Sequence, residues 1–401
     1  EYLAVTLEIL LEMFPLAVLA LVARKFTDTE NASSVVRSAL VMQLIITLAF
    51  MAVVLLGTGL FVDAMNTPME IRERTIDFLR IKALAMPFEA LSVLYIISLK
   101  AMKKGRLAVA IALAGVLINV TLDTLMISDL SFSLHLGLIG SAYDCVATKA
   151  LLFIISSAAF YWTIREKPRL RFDRKQSEAI IRIGKYTGLE SAVRNAGYIV
   201  GMLVVLNTLG TAEYGGYGVA MTILWMIFLI PVLGLTEATN VAIGNEYGRG
   251  DLRAIRNVQT VSLILMTGYM VFVAVFGLFS WEAISSIFNR NSEIVKYSVL
   301  TFQYLAIPYV FFAVSSALKT LFIGVGNTLY YFIPSTVVNL AIYVPIGLMV
   351  KMGMWEPSFE GIMFLSFFVF ASDMVISALL VKRQYSILKE AMREGGRTKC
   401  A

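Results

Sequence analysis

One histidine and two cysteines among 401 residues leave this chain with little means of holding a transition metal or running redox chemistry. His135 lies in a loop between apolar runs, so the H-E-x-x-H pair of a zinc-dependent protease is absent. Cys145 sits inside an apolar run and Cys400 in the last two residues, which excludes a framework of disulfide bridges. No serine or paired-aspartate signature of an intramembrane protease is present either, so the sequence reads as a non-enzyme without a cofactor. Charge is scarce as well. Only 15% of the residues are Asp, Glu, Lys or Arg and 58% are hydrophobic, against about 25% charged in a soluble domain. The net charge of +6 does not make a nucleic-acid surface, because the basic residues are scattered over short segments between apolar runs. The most basic stretch, "REKPRLRFDRKQSEAIIRIGK" at 165–185, has no aromatic stacking platform beside it.

What the chain has in abundance is long apolar runs. Eleven are of the roughly 20 residues needed to cross about 30 Å of hydrocarbon: 2–22, 38–62, 77–99, 107–128, 138–162, 186–209, 218–244, 258–281, 298–322, 329–350 and 361–381. No cleavable leader pattern precedes the first, so it is read as a span. Alternate connections differ sharply in charge. One set, with the C-terminal tail, holds 25 of the 34 Lys and Arg and the other holds 7; Lys149 and Arg194 lie inside spans. By the positive-inside rule the basic set and the C-terminus are cytoplasmic, and the expected location is the plasma (inner) membrane.

The two halves echo each other. "ARKFTDTE" at 23–30 matches "GNEYGRGD" at 244–251, and "LAMPF" at 84–88 matches "LAIPY" at 305–309; both pairs are offset by 221 residues. A shared offset points to a duplicated unit. Applied to the run at 186–209, it calls for a partner before residue 1. The fold class expected is therefore an all-α polytopic membrane protein of two six-helix bundles, with eleven spans visible because the first helix is missing. The expected divisions are an N-lobe at 1–163, a cytoplasmic linker at 164–185 that is partly amphipathic helix, a C-lobe at 186–384 and a cytoplasmic tail at 385–401.

The segments "LVARKFTDTENASSVVR", "LINVTLDTLMI", "GLIGSAYDCVA" and "VAIGNEYGRGDLRAIRN", in that order and register, resemble the MATE (multidrug and toxic compound extrusion) family. The likeness covers nearly the whole chain. It implies two six-helix lobes around a central cavity and export of small organic compounds in exchange for protons or sodium ions, with the site near the membrane midplane. The resemblance also implies that Asn119 and Asp123 match an N-x-x-x-D arrangement on the fifth helix, a place for the proton or a sodium ion. The family's partner aspartate on the first helix has no counterpart in the chain. Where a small polar residue is expected on the sixth helix stand Asp144 and Cys145, which puts the coupling ion in doubt.

Ionisable residues in spans are the informative ones, because a charge at the bilayer centre costs about 2.5–3.5 kcal/mol on insertion scales. Asn119 and Asp123 share a helix face, so the amide can orient the carboxylate or share a cation with it; a helix-packing hydrogen bond is the plainer alternative. Glu190 and Arg194 stand four apart in the order a helical ion pair prefers, with Asn195 beside them, and serve either as a cavity switch or as static packing. Glu237 is read as a cavity acid and Lys319 as snorkelling to the cytoplasmic interface. Lys149 is five residues from Asp144, which points its partner to another helix. Glu8 and Glu12 form either a cation-attracting mouth or the exposed end of a helix. Glu89 and Asp373 are single acids.

Six prolines, at 15, 87, 231, 308, 334 and 345, fall within spans and imply bends, while Trp162, Trp281 and Trp355 are read as interface anchors. Eight span acids against three span bases favour cationic cargo over the pyrophosphate of a lipid-linked saccharide, the cargo of a flippase. A non-transporting scaffold is the remaining alternative. Membrane lipids and small organic substrates are the expected partners, and the chain is expected to be a monomer.

Overall fold

A computed structural model describes residues 2–24, 29–64, 69–128, 130–165, 172–206 and 208–398. Among them every regular element is helical and no strand occurs, in keeping with a chain that must satisfy its backbone polar groups within each span. The chain divides into two compact units, residues 1–184 and 185–401.

The first unit contains α1 (Tyr2–Arg24), α2 (Thr29–Ala64), α3 (Met69–Ala83), α4 (Met86–Ala101), α5 (Gly105–Met126), α6 (Gly137–Ile164) and the start of α7 (Arg174–Tyr198). Its hub is α4, which packs on α1, α2, α5 and α6. The sequence explains the choice. Leu91, Leu94, Ile97 and Leu99 of α4 are buried, and its small residues Ala90, Ser92, Ser98 and Ala101 allow neighbours to approach closely. Pro87 stands in the first turn of α4, where its missing N–H costs nothing, and the break between α3 and α4 falls immediately before it.

The second unit continues through a π-helical turn π1 (Ile199–Leu203), α8 (Val204–Leu206), α9 (Thr211–Ile223), π2 (Leu224–Phe228), α10 (Ile230–Arg249), α11 (Leu252–Phe288), α12 (Ser292–Gly324), α13 (Thr328–Val338), π3 (Asn339–Tyr343), α14 (Val344–Lys351) and α15 (Phe359–Thr398). Here the hub is α12, packed on α9, α10, α11, α13 and α15. The hubs are the helices that carry "LAMPF" and "LAIPY", so the sequence echo falls on the element each unit is built around.

The prolines divide into two kinds. Pro15, Pro308 and Pro334 lie inside helices. Pro87, Pro231 and Pro345 instead open α4, α10 and α14, at breaks that fall within the candidate spans Arg72–Ala101, Thr211–Arg249 and Thr328–Lys351. Two of these openings follow a π turn, π2 before Pro231 and π3 before Pro345. A proline clashes with the carbonyl four residues back and offers it no hydrogen bond, so the preceding turn widens. The helices on either side of the π2–Pro231 break are inclined by 47°.

The motif "GNEYGRGD" is a helix stop followed by a helix start. Gly250 takes a left-handed conformation (φ 75°) to close α10, and the Asp251 carboxylate accepts from Ala254 N at 2.9 Å to cap α11.

Eight helices among the described residues are long and apolar enough to cross a membrane, and the bent pair Thr211–Phe228 and Ile230–Arg249 makes nine. The expected runs at 2–22 and 186–209 are largely helical without joining that set: the side chains of residues 1–10 lie outside the described residues, and the second run extends a helix whose first half is polar. The expected linker spans 164–185. Residues 166–171 lie outside the described residues, while α7 runs unbroken from Arg174 through the unit boundary, so the end of that segment is helix. Tail residues 385–398 likewise continue α15, with Tyr385 OH donating to Gln259 Oε1 at 2.6 Å and Leu388 buried.

Trp162 is 78% exposed, as an interface anchor should be, but Trp281 is not one. It is buried, stacked on Phe302 at 3.9 Å between centroids, and its Nε1 donates to Ser298 Oγ at 3.2 Å. Elsewhere the outward helix faces are apolar, with Leu56 85% and Phe279 88% exposed, which is the surface lipid tails cover.

Candidate ion-coupling and charge-pair sites

In the first unit, α5 and α6 pack side by side and bring Asn119 to Asp144. Asp144 on α6 is buried. The Asn119 amide on α5 donates to its Oδ2 at 2.8 Å, and Thr148, one turn further along α6, donates to its Oδ1 at 3.1 Å. Asp123 stands one turn from Asn119 on the same face of α5. The result corrects one expectation: Asn119 orients the Asp144 carboxylate rather than that of Asp123. The reason is direction. Residues four apart share a face, yet the short amide reaches across the α5–α6 seam to a buried acceptor more readily than along its own helix. Both Asn119 and Asp123 are half-buried, as is the neighbouring Cys145, a free thiol.

A second group lies one step along α6. Lys149 Nζ is 2.6 Å from Glu89 Oε1 on α4, so its partner is on another helix, as five-residue spacing from Asp144 requires. The second unit has a counterpart between its own hub and last helix. Lys319 on α12 binds both carboxylate oxygens of Asp373 on α15, at 2.7 and 2.8 Å. Ser315 donates to the same carboxylate and lies 3.2 Å from Ser377. The expectation that Lys319 snorkels is therefore wrong: its ammonium finds an acid inside the unit, and both side chains are only 15% exposed. Opposite charges on two different spans are visible in the sequence, but the pairing is not, because it depends on which helices touch.

The two bridges have exchanged signs. The hub carries the acid in the first unit and the base in the second. By the 221-residue offset, Glu89 aligns with Val310, nine residues or about 13 Å before Lys319 along the helix. The bridges are thus not copies of one ancestral pair.

Glu190 and Arg194 on α7 pair at 3.3 Å, and Arg194 also reaches Ser191 Oγ at 3.4 Å. Asn195 is buried, donating to Ser191 Oγ at 3.3 Å. Beyond them, Gly197 and Gly201 face Asn339 and Tyr343 of π3 so closely that a Cβ at either glycine would overlap the opposing side chain. Glu237 is half-buried on α10. Glu12 is half-buried on α1, and the Glu8 side chain lies outside the described residues.

An aromatic cluster in the second unit escaped the sequence reading. Tyr217 OH donates to Tyr198 OH at 3.2 Å, and Trp225 Nε1 donates to Tyr309 OH at 3.1 Å, with Phe312 and Phe370 packed on Tyr309. Tyr309 is the tyrosine of "LAIPY", where the first half has Phe88 in "LAMPF", and that one substitution was the available signal. Among the described residues no group of three or more His, Cys, Asp or Glu is arranged to hold a metal ion.

The comparisons with known proteins add to this geometry. The family model described as MatE matches residues 10–125 and 187–350, most of both units. The chain belongs to the MATE family. That family consists of transporters, not enzymes, and the chain is a multi-pass membrane protein. It is 24% identical over 173 residues to the human multidrug and toxin extrusion protein 1, covering 40% of this chain and 30% of that protein. It is 25% identical over 218 residues to a probable multidrug resistance protein NorM of Thermotoga maritima, covering 53% and 46%. These matches thus span about a third to a half of the curated relatives. In fold, it is similar to an outward-facing multidrug resistance MATE transporter at a TM-score of 0.85 and 17% identity, over 96% of this chain and 86% of the other. It also resembles a MOP superfamily transporter from Pyrococcus furiosus described as having a binding pocket of reverse polarity, at a TM-score of 0.83, 17% identity and the same coverage.

Proposed function

We propose that this MATE protein exports small organic cations from the cell by alternating access, driven by protons that load between Asp123 and Asp144. The observation that carries the reading is the buried Asp144 carboxyl, held across the α5–α6 seam by Asn119 and along α6 by Thr148, with Asp123 one turn from Asn119 on α5. An acid held inside a span by neutral donors is a place where a proton can be taken up and released. The donors Asn119 and Thr148 fix the Asp144 oxygens, so Asp144 is the anchored member and Asp123, half-buried, is the member that exchanges. Sodium is the competing ion. It would have to displace two donors already directed at Asp144, which favours the proton.

Charge bookkeeping supports a cationic cargo. Lys149, Arg194 and Lys319, three bases inside spans, are each matched with an acid. Asp123, Asp144 and Glu237 add carboxyls in the spans beyond those three pairs. A pyrophosphate-bearing lipid would find none of those bases without an acid beside it. Glu190, Arg194, Asn195 and Glu237 are assigned to substrate handling, the pair opening when cargo or a proton competes for Glu190. The protein acts as a monomer in the plasma membrane with its C-terminus in the cytoplasm.

The test is efflux of a fluorescent organic cation from cells that express Asp123→Asn or Asp144→Asn. Both variants are expected to fold, because an amide keeps the shape and the hydrogen bonds, and both are expected to lose export. Full efflux by either would remove that acid from the mechanism.

A further inference from the structure

The end of α11 and the first turns of α12 enclose a recess of about 650 Å³, open on one side and remote in sequence from every group assigned above. Its polar rim carries Glu282, Arg290 and Lys296, with Ser286, Asn289 and Ser292 between them. The three charged side chains are exposed, and among the described residues none of them forms an ion pair. Two cations and one carboxylate thus border a common space without neutralising each other.

Further along α12 the recess is lined by Val299, Leu300 and Gln303. Helical spacing places Phe279 one turn before Glu282 and Ile307 one turn beyond Gln303. These side chains are 88% and 57% exposed, so each helix carries an apolar outward face on from the polar rim. The rim lies on a connection from the set poor in Lys and Arg, at the headgroup level of the leaflet away from the basic loops.

We propose that this recess binds one phosphatidylethanolamine, with Arg290 and Lys296 on the phosphate, Glu282 on the primary ammonium and an acyl chain along the faces of Phe279 and Ile307. The carboxylate narrows the choice. Two cations alone suit any phospholipid phosphate, and suit an anionic lipid best. Glu282 finds no cation on phosphatidylglycerol, whose one charge is the phosphate, and it can accept hydrogen bonds from an ethanolamine N–H but not from a trimethylated choline, which has none to give.

The experiment uses the full chain in nanodiscs holding equal parts of phosphatidylethanolamine, phosphatidylcholine and phosphatidylglycerol, with the lipids that stay bound read by native mass spectrometry. The expected result is one retained phosphatidylethanolamine, favoured about fivefold over the other two, the effect of one exposed charge pair. Glu282→Gln should erase the preference over phosphatidylcholine while still holding lipid. Arg290→Gln with Lys296→Gln should lower retention of all three, and Lys296→Arg should preserve it. These positions are exposed, so thermal unfolding should be unchanged in every variant. Equal retention of the three lipids by the unmodified chain, preference for phosphatidylglycerol, or an unchanged preference in Glu282→Gln would each overturn the assignment.

Discussion

The Lys319 ammonium lies within 2.8 Å of both carboxylate oxygens of Asp373, joining the hub helix of the second unit to its last helix inside the membrane. Each charge is tolerable there only because of the other. Replacing one partner leaves the second stranded, a loss on the order of 3–5 kcal/mol in buried settings. Lys319→Met is therefore expected to lower the thermal unfolding midpoint of the detergent-solubilised protein sharply. Asp373→Leu added to it should restore most of the loss, because the double variant has no stranded charge. A double variant no more stable than the single one would show that the pair does not act as a unit.

The Glu89–Lys149 bridge makes a different prediction, since the other unit tolerates the opposite arrangement of signs. Lys149→Glu alone puts two acids in contact and should abolish a monodisperse peak in size-exclusion chromatography. The exchange Glu89→Lys with Lys149→Glu should bring the peak back. Failure of the exchange would mean that the surroundings, which include the acid Asp144 five residues away on the same helix, dictate which helix carries the base.

Helix contact at π3 supplies a steric test. Gly197→Ala would push a methyl into Asn339, and Gly201→Ala one into the Tyr343 ring. Overpacking of this kind costs about 1–3 kcal/mol, more where a helix cannot shift. Gly268→Ala on α11, where a Cβ meets open space, is the control and should be neutral or slightly stabilising. Equal midpoints for all three would mean that α7 and π1 are not in close contact with π3 in the membrane.

The sequence carried the architecture well for a physical reason. A bilayer demands apolar runs of fixed length and leaves charge to the connections, so helices and their class are legible residue by residue. The hubs were legible too, through "LAMPF" and "LAIPY" at one offset. What composition cannot encode is which faces meet. Asn119 was placed on the correct helix face but assigned to Asp123, because the α5–α6 seam that offers it Asp144 exists only in three dimensions. Lys319 was sent to the interface for the same reason, as its acid lies 54 residues away on α15. Trp281 was read by residue type, whereas Phe302 and Ser298 give it a buried place with a partner for its N–H.

The account stands most directly on transport by the purified protein in proteoliposomes, with pH and sodium gradients imposed independently and a panel of cationic and anionic dyes. A pH gradient alone should drive the cationic dyes, with no response to sodium, and Asp144→Asn should abolish that transport while leaving the protein folded. Transport driven by sodium alone, a preference for anionic dyes, or undiminished pH-driven movement in Asp144→Asn would contradict it.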